Sequence, residues 1–289
     1  MSRLRRFFQR ALLFYLRRFP LATGKGALST LASISADSGE ADYINADGIR
    51  FALRLGEYQM RQIFLFDYYE KNSVHALKAF LKPGMTFVDV GANIGQYSLL
   101  AGKFIGPSGT VIAFEPDERL HPILKQNIFQ NQLANVRLES LALSNTAGKA
   151  TLRHSANTGN LGAASLWHDD PSLHSAAIST TSLDAYVRQN HLDVDIMKID
   201  VEGSEMQVLL GATETLKKNR PMVIICEMNS DMLARAGTST SQIMAFLKNM
   251  GFSAYTARAW PRGLTEISQT PSPEWIDNVF FLRGFSPAK

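Results

Sequence analysis

Short apolar runs of strand length alternate with amphipathic segments of helix length from residue 85 onwards. Because the connections between the apolar runs are long enough to hold a helix, the pattern predicts a parallel, doubly wound α/β sheet. The predicted strands are 85–90, 110–114, 135–139, 195–201, 222–228, 252–257 and 278–282, and the predicted helices are 59–81, 96–104, 117–130, 183–189, 204–217 and 238–250.

Several residues at the ends of these segments agree with the predicted boundaries. Pro83 and Gly84 follow the first predicted helix and cannot continue it. Asp117 is expected to be an N-cap, and Ser204 with Gln207 three residues later reads as a capping box. These helix-ending and helix-capping residues therefore support an alternation of strands and helices.

The chain is expected to divide into two parts. Residues 1–50 are predicted to be a basic, helical N-terminal arm, and residues 51–289 a single domain. Within that domain, about residues 144–190 are richer in Ser, Thr, Asn and Gly than their surroundings. We expect this segment to be an insertion that forms short strands beside the main sheet.

Composition narrows the class of protein. The 289 residues are 45% hydrophobic and 19% charged, which excludes a disordered or collagen-like chain. The single cysteine, Cys226, excludes an intrachain disulfide and a Cys-rich zinc site. The net charge is +4, but residues 1–35 hold seven basic residues and no acid, so the remainder carries −3. We therefore expect no nucleic-acid partner for the folded domain.

The basic arm allows three interpretations. Arginines alternate with apolar residues over residues 1–20, as in a helix that lies on a membrane surface. The arm could equally be a solvated segment packed on its own domain or a partner subunit, or an organelle transit peptide. Its longest uncharged run, 11–16, is too short to span a bilayer. The expected location is the cytoplasm. The basic arm also allows peripheral attachment to the inner membrane surface.

A glycine-rich turn follows the first strand of the predicted sheet, where such folds bind ligands. The segment from Asp89 through Gly91, Ala92, Asn93 and Gly95 permits a tight turn and close approach of a ligand. It lacks the Gly-Lys-Ser/Thr ending of a P-loop. A dinucleotide fingerprint would need glycine at Asn93 and at the position after Gly95, so NAD is disfavoured. S-adenosylmethionine fits better, because an acid at the strand end attracts its cationic part.

Two later strand ends offer further contacts to such a ligand. Glu115 lies 24 residues after Gly91, at the end of the second strand, where an acid can accept hydrogen bonds from two ribose hydroxyls. Ser140 and Leu141 follow the third strand and are expected near an adenine edge. The alternative is that Asp89 and Glu115 only cap backbone N–H groups.

A second group of charged residues stands at the end of the fourth strand. Period-two alternation places Lys198, Asp200 and Glu202 on one side of that strand. A central strand should not carry three charges unless they pair or act. Asp200 and Glu202 are expected to face the same cleft as Asp89 and Glu115, with Glu227 at the end of the neighbouring fifth strand, and carboxyl groups gathered in one cleft raise one another's pKa. The alternative is a structural Lys198–Asp200 ion pair with a helix-capping Glu202.

At these positions the sequence resembles the FkbM-type S-adenosylmethionine-dependent methyltransferases. The resemblance runs from about residue 81 to 229 and rests on FVDVGANIGQYS, FEP, SLD and KIDVEGSE in that order. It implies a class I methyltransferase (Rossmann-like) fold of seven mostly parallel strands in the order 3-2-1-4-5-7-6, with strand seven antiparallel. It also implies methyl transfer to a hydroxyl, often on a sugar or a glycosylated product. Under this resemblance Asp89, Gly91, Asn93, Gly95 and Glu115 are cofactor residues.

The expected mechanism is in-line displacement at the sulfonium methyl by a substrate hydroxyl, which needs a base. Asp200 is the predicted base, and Glu202 would orient the hydroxyl or share the proton. Other candidate bases are His154, His168 and His174 in the insertion. A divalent cation such as Mg²⁺, held by Asp200, Glu202 and Glu227, is an alternative that is not expected.

Two other functions compete with this prediction. An NAD(P)-linked oxidoreductase would use the same fold and the same acid at the second strand end. A non-catalytic, membrane-associated scaffold could keep the fold without the activity. The acids at 89, 115, 200 and 202 oppose the scaffold, because it has no use for a carboxylate-lined cleft. The expected partner is a small-molecule or glycan acceptor.

Overall fold

The computed structural model describes residues 39–154, 164–166, 173–218, 220–258, 263–268 and 278–286. The chain divides into two compact units. Of the described residues, 39–71 belong to the first unit and those from 72 onwards belong to the second. Of the predicted arm, residues 1–50, residues 1–38 lie outside the described residues.

The first unit contains a β-hairpin and a helix. Strands β1 (Glu40–Ile44) and β2 (Arg50–Arg54) pair antiparallel, and helix α1 (Tyr58–Phe66) follows. The side chain of Asn45 shapes the turn between the strands by accepting hydrogen bonds from the backbone N–H of Asp47 at 3.1 Å and of Ile49 at 3.0 Å. This hairpin was not predicted from the sequence.

The second unit is an α/β domain built on one large sheet. Its elements, in chain order from the boundary between the units, are α2 (Lys71–Lys78), β3 (Thr86–Val90), α3 (Gln96–Ile105), β4 (Thr110–Phe114), α4 (His121–Gln130), β5 (Val136–Glu139), β6 (Ala142–Leu143), β7 (Gly148–His154), β8 (His174–Thr181), α5 (Leu183–Asn190), β9 (Ile196–Ile199), α6 (Glu205–Leu210), α7 (Thr213–Lys217), β10 (Met222–Glu227), α8 (Ser230–Arg235), α9 (Thr240–Asn249), β11 (Ser253–Ala257), β12 (Leu264–Glu266) and β13 (Asn278–Arg283).

The strands of the large sheet follow the order β12-β11-β13-β10-β9-β3-β4-β5. Strands β10, β9, β3, β4 and β5 pair in parallel, and β13 is antiparallel to both of its neighbours. The order is the expected 3-2-1-4-5-7-6 with one strand more at the edge beyond strand six. The prediction of seven strands missed the short edge strand β12, because three residues are too few to show a recognisable strand pattern.

Apolar residues cover the central strands on both faces. On one face, alternate side chains of β3, β4, β9 and β10 share a core cluster with α5 and α6, and the ring of Phe114 meets that of Tyr186 edge to face at 4.9 Å. On the other face Ala92, Ala113 and Leu124 pack together under α4. Burial on both faces explains why these strands are continuous apolar runs rather than alternating ones.

The insertion forms a small sheet of its own. Strands β6, β8 and β7 lie in that order, with β7 and β8 antiparallel and β6 and β8 parallel. His154 pairs with His174 at the end of the β7–β8 ladder. Of the three predicted histidines, His168 lies outside the described residues.

Two predicted long helices are each divided in the structure. The helix predicted over 59–81 is interrupted by Asp67 and Glu70, which have φ of 73° and 53°. The helix predicted over 204–217 is interrupted at Gly211, where an added Cβ would stand 2.0 Å from the carbonyl oxygen of Ser144. The carboxylate of Asp184 then caps the next helix, α7. Helix α8 was not predicted.

The predicted caps at Asp117 and Ser204 were wrong. Helix α4 begins at His121, and Asp117 instead accepts a hydrogen bond from the backbone N–H of Arg119 at 3.0 Å and pairs with its guanidinium. Ser204 precedes α6 but its side chain makes no cap hydrogen bond. Within the described parts of the chain, none of the helices has the length and hydropathy needed to cross a membrane.

Candidate active site

Four central strands end at one level of the sheet. Phe114, Val90, Ile199 and Cys226 are register partners across β4, β3, β9 and β10. The residues that follow them in the chain are Glu115, Gly91, Asp200 and Glu227. Since parallel strands share a direction, three acids and a glycine turn stand along the same edge, where doubly wound folds bind ligands.

The glycine turn is a tight backbone loop against β4 and β9. Gly91, Asn93 and Gly95 have φ of 82°, 53° and 91°, a region that glycine enters without strain. The backbone N–H groups of Gly91 and Ala92 both donate to the carbonyl oxygen of Phe114 at 3.0 Å. Helix α3 begins directly after Gly95, so its N-terminus faces the same edge.

Asp89 lies beneath this loop and is only 1% exposed. Its carboxylate accepts a hydrogen bond from the hydroxyl of Ser98 at 2.5 Å. Burial raises its pKa to about 6, opposed by the Ser98 hydrogen bond and the charge of Lys198, while the charge of Asp200 raises it further. The carboxylate of Asp89 is therefore buried beside Ser98 and Lys198 rather than exposed at the sheet edge.

Glu115 ties the glycine loop to the end of β4. Its Oε2 accepts the backbone N–H of Asn93 at 2.7 Å, and its Oε1 accepts the backbone N–H of Asp117 at 2.8 Å. Burial raises its pKa to about 7 although both hydrogen bonds lower it. Backbone capping, which was considered as the alternative for Asp89 and Glu115, is therefore present at Glu115. Because each carboxylate oxygen has a second lone pair, the cap leaves acceptor capacity for a ligand.

Lys198 is a buried cation in the centre of the site. It is 1% exposed, is the register partner of Asp89, and its Nζ lies 3.2 Å from Oδ2 of Asp200. Nζ also lies 5.2 Å from the ring centroid of Tyr97. The Lys198–Asp200 ion pair is thus part of the structure. The side chain of Asp200 remains 21% exposed, which lets it meet a ligand while paired.

The loop after β9 carries Glu202. The strand ends at Ile199, so the alternation predicted over 195–201 does not extend to Glu202, whose φ of 50° belongs to a turn. The hydroxyl of Ser165 donates to the carbonyl oxygen of Glu202 at 2.7 Å. Glu205, which was not predicted from the sequence, accepts the backbone N–H of Val201 and Gly203 on its Oε1. The sequence signal that could have identified Glu205 is its place as an acid in the first turn of a predicted helix, two residues after Gly203.

The acids proposed for a cation are partly brought together. Asp200 and Glu227 offer carboxylate oxygens within 4.8 Å of one another. Within the part of the chain that the structure describes, Glu202 brings no oxygen within that distance of both. The three acids of the cation alternative therefore do not form one cluster among the described residues.

The family model of the methyltransferase FkbM domain matches residues 89–254, more than half of the chain. The chain belongs to this family. The match begins at Asp89 and includes the glycine turn, Glu115 and the loop that carries Asp200 and Glu202. The resemblance inferred from the sequence motifs is confirmed.

Curated relatives of this FkbM-family chain share about a quarter of their residues with it. The 31-O-demethyl-FK506 methyltransferase FkbM of Streptomyces tacrolimicus is 25% identical over 244 residues, which are 74% of this chain and 88% of that protein. The 2-O-methyltransferase NoeI of Sinorhizobium fredii is 27% identical over 158 residues, 48% of this chain and 62% of that protein. The AMB antimetabolite synthetase AmbE of Pseudomonas aeruginosa is 27% identical over 237 residues, and the chain spans 11% of its length.

Matches among solved structures include a methyltransferase FkbM from Methylobacillus flagellatus, with 12% identity and a TM-score of 0.44 over 95% of this chain and 57% of that one. A SAM-dependent O-methyltransferase from Thermotoga maritima has 14% identity and a TM-score of 0.42 over 91% of this chain and 83% of that one.

The structure also describes four of the remaining predicted residues of this FkbM-family chain, Ser140, Leu141, His154 and His174. Ser140 is exposed directly after β5, and Leu141 is partly buried against the core. The rings of His154 and His174 stack at 5.9 Å. Burial and the charge of Arg119 lower the pKa of His154, and the charge of Asp117 opposes them; both of these residues lie on the β4–α4 connection.

Proposed function

We propose that this chain transfers a methyl group from S-adenosylmethionine to a hydroxyl oxygen of a small-molecule or glycan acceptor. The observation that carries the proposal is the row formed by Glu115, Gly91, Asp200 and Glu227 at one level of the sheet, beside a glycine loop. Family membership supports it independently. The names of two relatives refer to methylated oxygens, which supports a hydroxyl as the acceptor.

The side chains present suit a cationic methyl donor better than a pyrophosphate. Asp89, Glu115 and Asp200 place three carboxyl groups around the loop, and these would repel a phosphate. Glu115 would hold the ribose hydroxyls with its remaining lone pairs, and the N-terminus of α3 would receive the carboxylate of the methionine part. Ser140 and Leu141 would border the adenine.

The same loop disfavours an NAD(P)-linked oxidoreductase. A dinucleotide fingerprint has glycine at the positions that Asn93 and Gln96 occupy here. The side chain of Gln96 is buried, with 6% of the residue exposed, so it fills space that the fingerprint leaves open. A non-catalytic scaffold would gain nothing from burying Asp89 and Glu115 at raised pKa.

Methyl transfer requires that the acceptor hydroxyl lose its proton. When bound, S-adenosylmethionine supplies a methyl group on a sulfonium leaving group, so one C–S bond breaks as one C–O bond forms. Asp200 would accept the hydroxyl proton on its partly exposed carboxylate, and the ammonium of Lys198 at 3.2 Å would fix that carboxylate in place. Glu202 would orient the hydroxyl for in-line attack.

Mg²⁺ is not part of the proposal. The ammonium of Lys198 already sits against Asp200, and a second cation between Asp200 and Glu227 would be repelled by it. Chelation with EDTA should therefore leave the transfer rate unchanged, and recovery of a lost rate by added Mg²⁺ would favour the cation mechanism.

The test begins with binding and continues with transfer. S-adenosylhomocysteine should raise the thermal midpoint of the full chain, and NADH should not. Transfer is then measured with methyl-labelled S-adenosylmethionine and a panel of alcohols: 31-O-demethyl-FK506, methyl glycosides of hexoses and 6-deoxyhexoses, and cyclohexanol. Stabilisation by NADH with no response to S-adenosylhomocysteine would overturn the proposal.

Attachment to a membrane surface through residues 1–20 stays a prediction from the sequence. The full chain should co-sediment with anionic vesicles, and a truncation that begins at Ala36 should not. Equal sedimentation of both would show that the arm does not bind the vesicles.

A further inference from the structure

Residues 200–203, here called the acid loop, carry both acids of the proposed reaction in an unusual backbone conformation. Glu202 has a φ of 50° and Gly203 a φ of 105°. A residue with a side chain seldom enters the left-handed region, so the surrounding structure must hold Glu202 there. The contacts that do so decide where Asp200 and Glu202 stand.

Glu205 makes two of these contacts with a single oxygen. Its Oε1 accepts the backbone N–H of Val201 at 3.2 Å and that of Gly203 at 3.1 Å, and these two residues flank Glu202. Glu205 is the first residue of α6 and is 1% exposed. Its position is therefore fixed by the helix, and its oxygen fixes the acid loop on one side.

Two other contacts hold the acid loop from different directions. The hydroxyl of Ser165 donates to the carbonyl oxygen of Glu202 at 2.7 Å, and the backbone N–H of Asp200 donates to the carbonyl oxygen of Val90 at 3.0 Å. Among these three contacts, only that of Glu205 accepts two backbone N–H groups, one on each side of Glu202. Its loss would release the part of the loop that aims the side chain of Glu202.

We infer that Glu205 is a positioning residue for methyl transfer, which acts through the acid loop and touches neither donor nor acceptor. The inference rests on the proposed function, since it assigns Glu205 to the same site. Because Glu205 is buried, it would affect the rate of methyl transfer only by fixing the backbone between Asp200 and Gly203.

The cost of burying Glu205 agrees with a role beyond stability. Burial raises its pKa to about 7, although the N–H groups of Gly203 and Val201 lower it. Its Oε2 is buried and has no hydrogen-bond partner in the described part of the chain. An acid kept in such surroundings breaks the usual rule for a folded core, and such exceptions concentrate at functional sites.

The chain offers a matched control for a helix-start carboxylate. Asp184 accepts the backbone N–H of Glu214 and of Thr215, each at 2.8 Å, at the beginning of α7. Asp184→Ala, like Glu205→Ala, therefore removes a carboxylate that accepts hydrogen bonds from two backbone N–H groups. The helix that Asp184 caps carries no proposed site residue. Glu205→Gln keeps an oxygen that can accept both N–H groups, so it tests whether geometry is what matters.

Three measurements on the full chain test the inference: amide hydrogen exchange at Val201 and Gly203, calorimetric affinity for S-adenosylhomocysteine, and kcat with the panel alcohol that the wild type methylates fastest. Glu205→Ala should raise both exchange rates at least about tenfold and lower kcat on the order of a hundredfold, while the affinity changes less than about threefold. Glu205→Gln should restore kcat to within about fivefold of the wild type. Asp184→Ala should leave kcat unchanged.

A wild-type kcat in Glu205→Ala, or an equal loss of kcat in Asp184→Ala, would overturn the inference. So would equal losses in the Ala and Gln variants, because the oxygen geometry would then be irrelevant. If Glu205→Ala does not fold, Ser165→Ala, which removes the contact to the Glu202 carbonyl, should lower kcat about tenfold, and an unchanged kcat contradicts the inference. If the wild type binds no S-adenosylhomocysteine and methylates no alcohol, the proposed function fails, and the exchange rates alone decide whether Glu205 holds the acid loop.

Discussion

A Cβ placed on Gly91 would stand 1.9 Å from the carbonyl oxygen of Asp200. The glycine turn after β3 and the acid loop after β9 are therefore in backbone contact, and only glycine fits between them. This contact joins the proposed cofactor loop to the residue proposed as base. A change on one side of it is expected to disturb the other.

Gly91→Ala tests that contact. The added Cβ meets backbone that cannot move aside, at a φ of 82°, so the free energy of unfolding should fall by about 3 kcal/mol or more. Gly237→Ala is the control, because Gly237 has a φ of 72° and nothing within 4 Å of an added Cβ. That change should cost about 1 kcal/mol. Equal losses in urea unfolding would mean that the contact with Asp200 is not tight.

Glu115 should make stability depend on pH near neutrality. Its pKa in the folded chain is raised to about 7 from an ordinary 4.5, so the folded state holds the proton more tightly than the unfolded state. The resulting stabilisation is present at low pH and is lost as the pH rises towards and through 7. It amounts to at most about 3 kcal/mol.

Unfolding free energies at pH 5, 6, 7 and 8 measure this effect. The wild type should lose stability over the range, Glu115→Gln should show a smaller slope, and Glu118→Gln, a change of an exposed acid three residues away, should keep the wild-type slope. A Glu115→Gln variant with the full slope would show that another group titrates.

Lys198 should matter more at high pH than at low pH. Its charge lowers the pKa of Asp89, so in Lys198→Met the pKa of Asp89 should rise above its present value of about 6. The ionised carboxylate, present at pH 8, is then buried without its cation, and the loss of stability should exceed that at pH 5 by about 1 to 2 kcal/mol.

The control for Lys198 is Lys217→Met, which breaks the exposed pair with Glu214. Its cost should stay below about 1 kcal/mol at either pH. If Lys198→Met costs the same at pH 5 and pH 8, Lys198 does not stabilise the ionised form of Asp89.

Asp200→Asn should slow transfer strongly without removing the cofactor site. The change keeps the shape of the side chain but removes the proton acceptor, so kcat should fall by about a hundredfold or more while affinity for S-adenosylhomocysteine stays within a few-fold. Initial rates and calorimetry on the same preparation measure both. If Asp200→Asn keeps normal turnover but loses affinity for S-adenosylhomocysteine, Asp200 is not the base.

The large sheet could be predicted well from the sequence because its strands are buried on both faces. One residue of each central strand, Val88, Ile112, Met197 and Ile224, lies in the same core cluster. A strand that is buried on both faces is a continuous apolar run, which can be recognised from the sequence of that strand alone. The hairpin of β1 and β2 was missed, because its burial alternates and its turn depends on the side chain of Asn45.

The candidate site was predictable where a motif coincides with a strand end, and less so where long-range contacts decide. Asp89, Gly91 and Asp200 could be placed by the end of a strand. The division of the helix at Gly211 depends on the carbonyl of Ser144, far away in the chain, and the role of Glu205 depends on a turn conformation that periodicity does not encode.

Calorimetric titration with S-adenosylhomocysteine, run on the wild type, Glu115→Gln and Glu118→Gln, tests the central claim most directly. We expect one bound molecule for the wild type and Glu118→Gln, and an affinity at least about tenfold weaker for Glu115→Gln, because one acceptor for the ribose is lost. A folded wild type that binds no S-adenosylhomocysteine, or a Glu115→Gln variant with wild-type affinity, would contradict it.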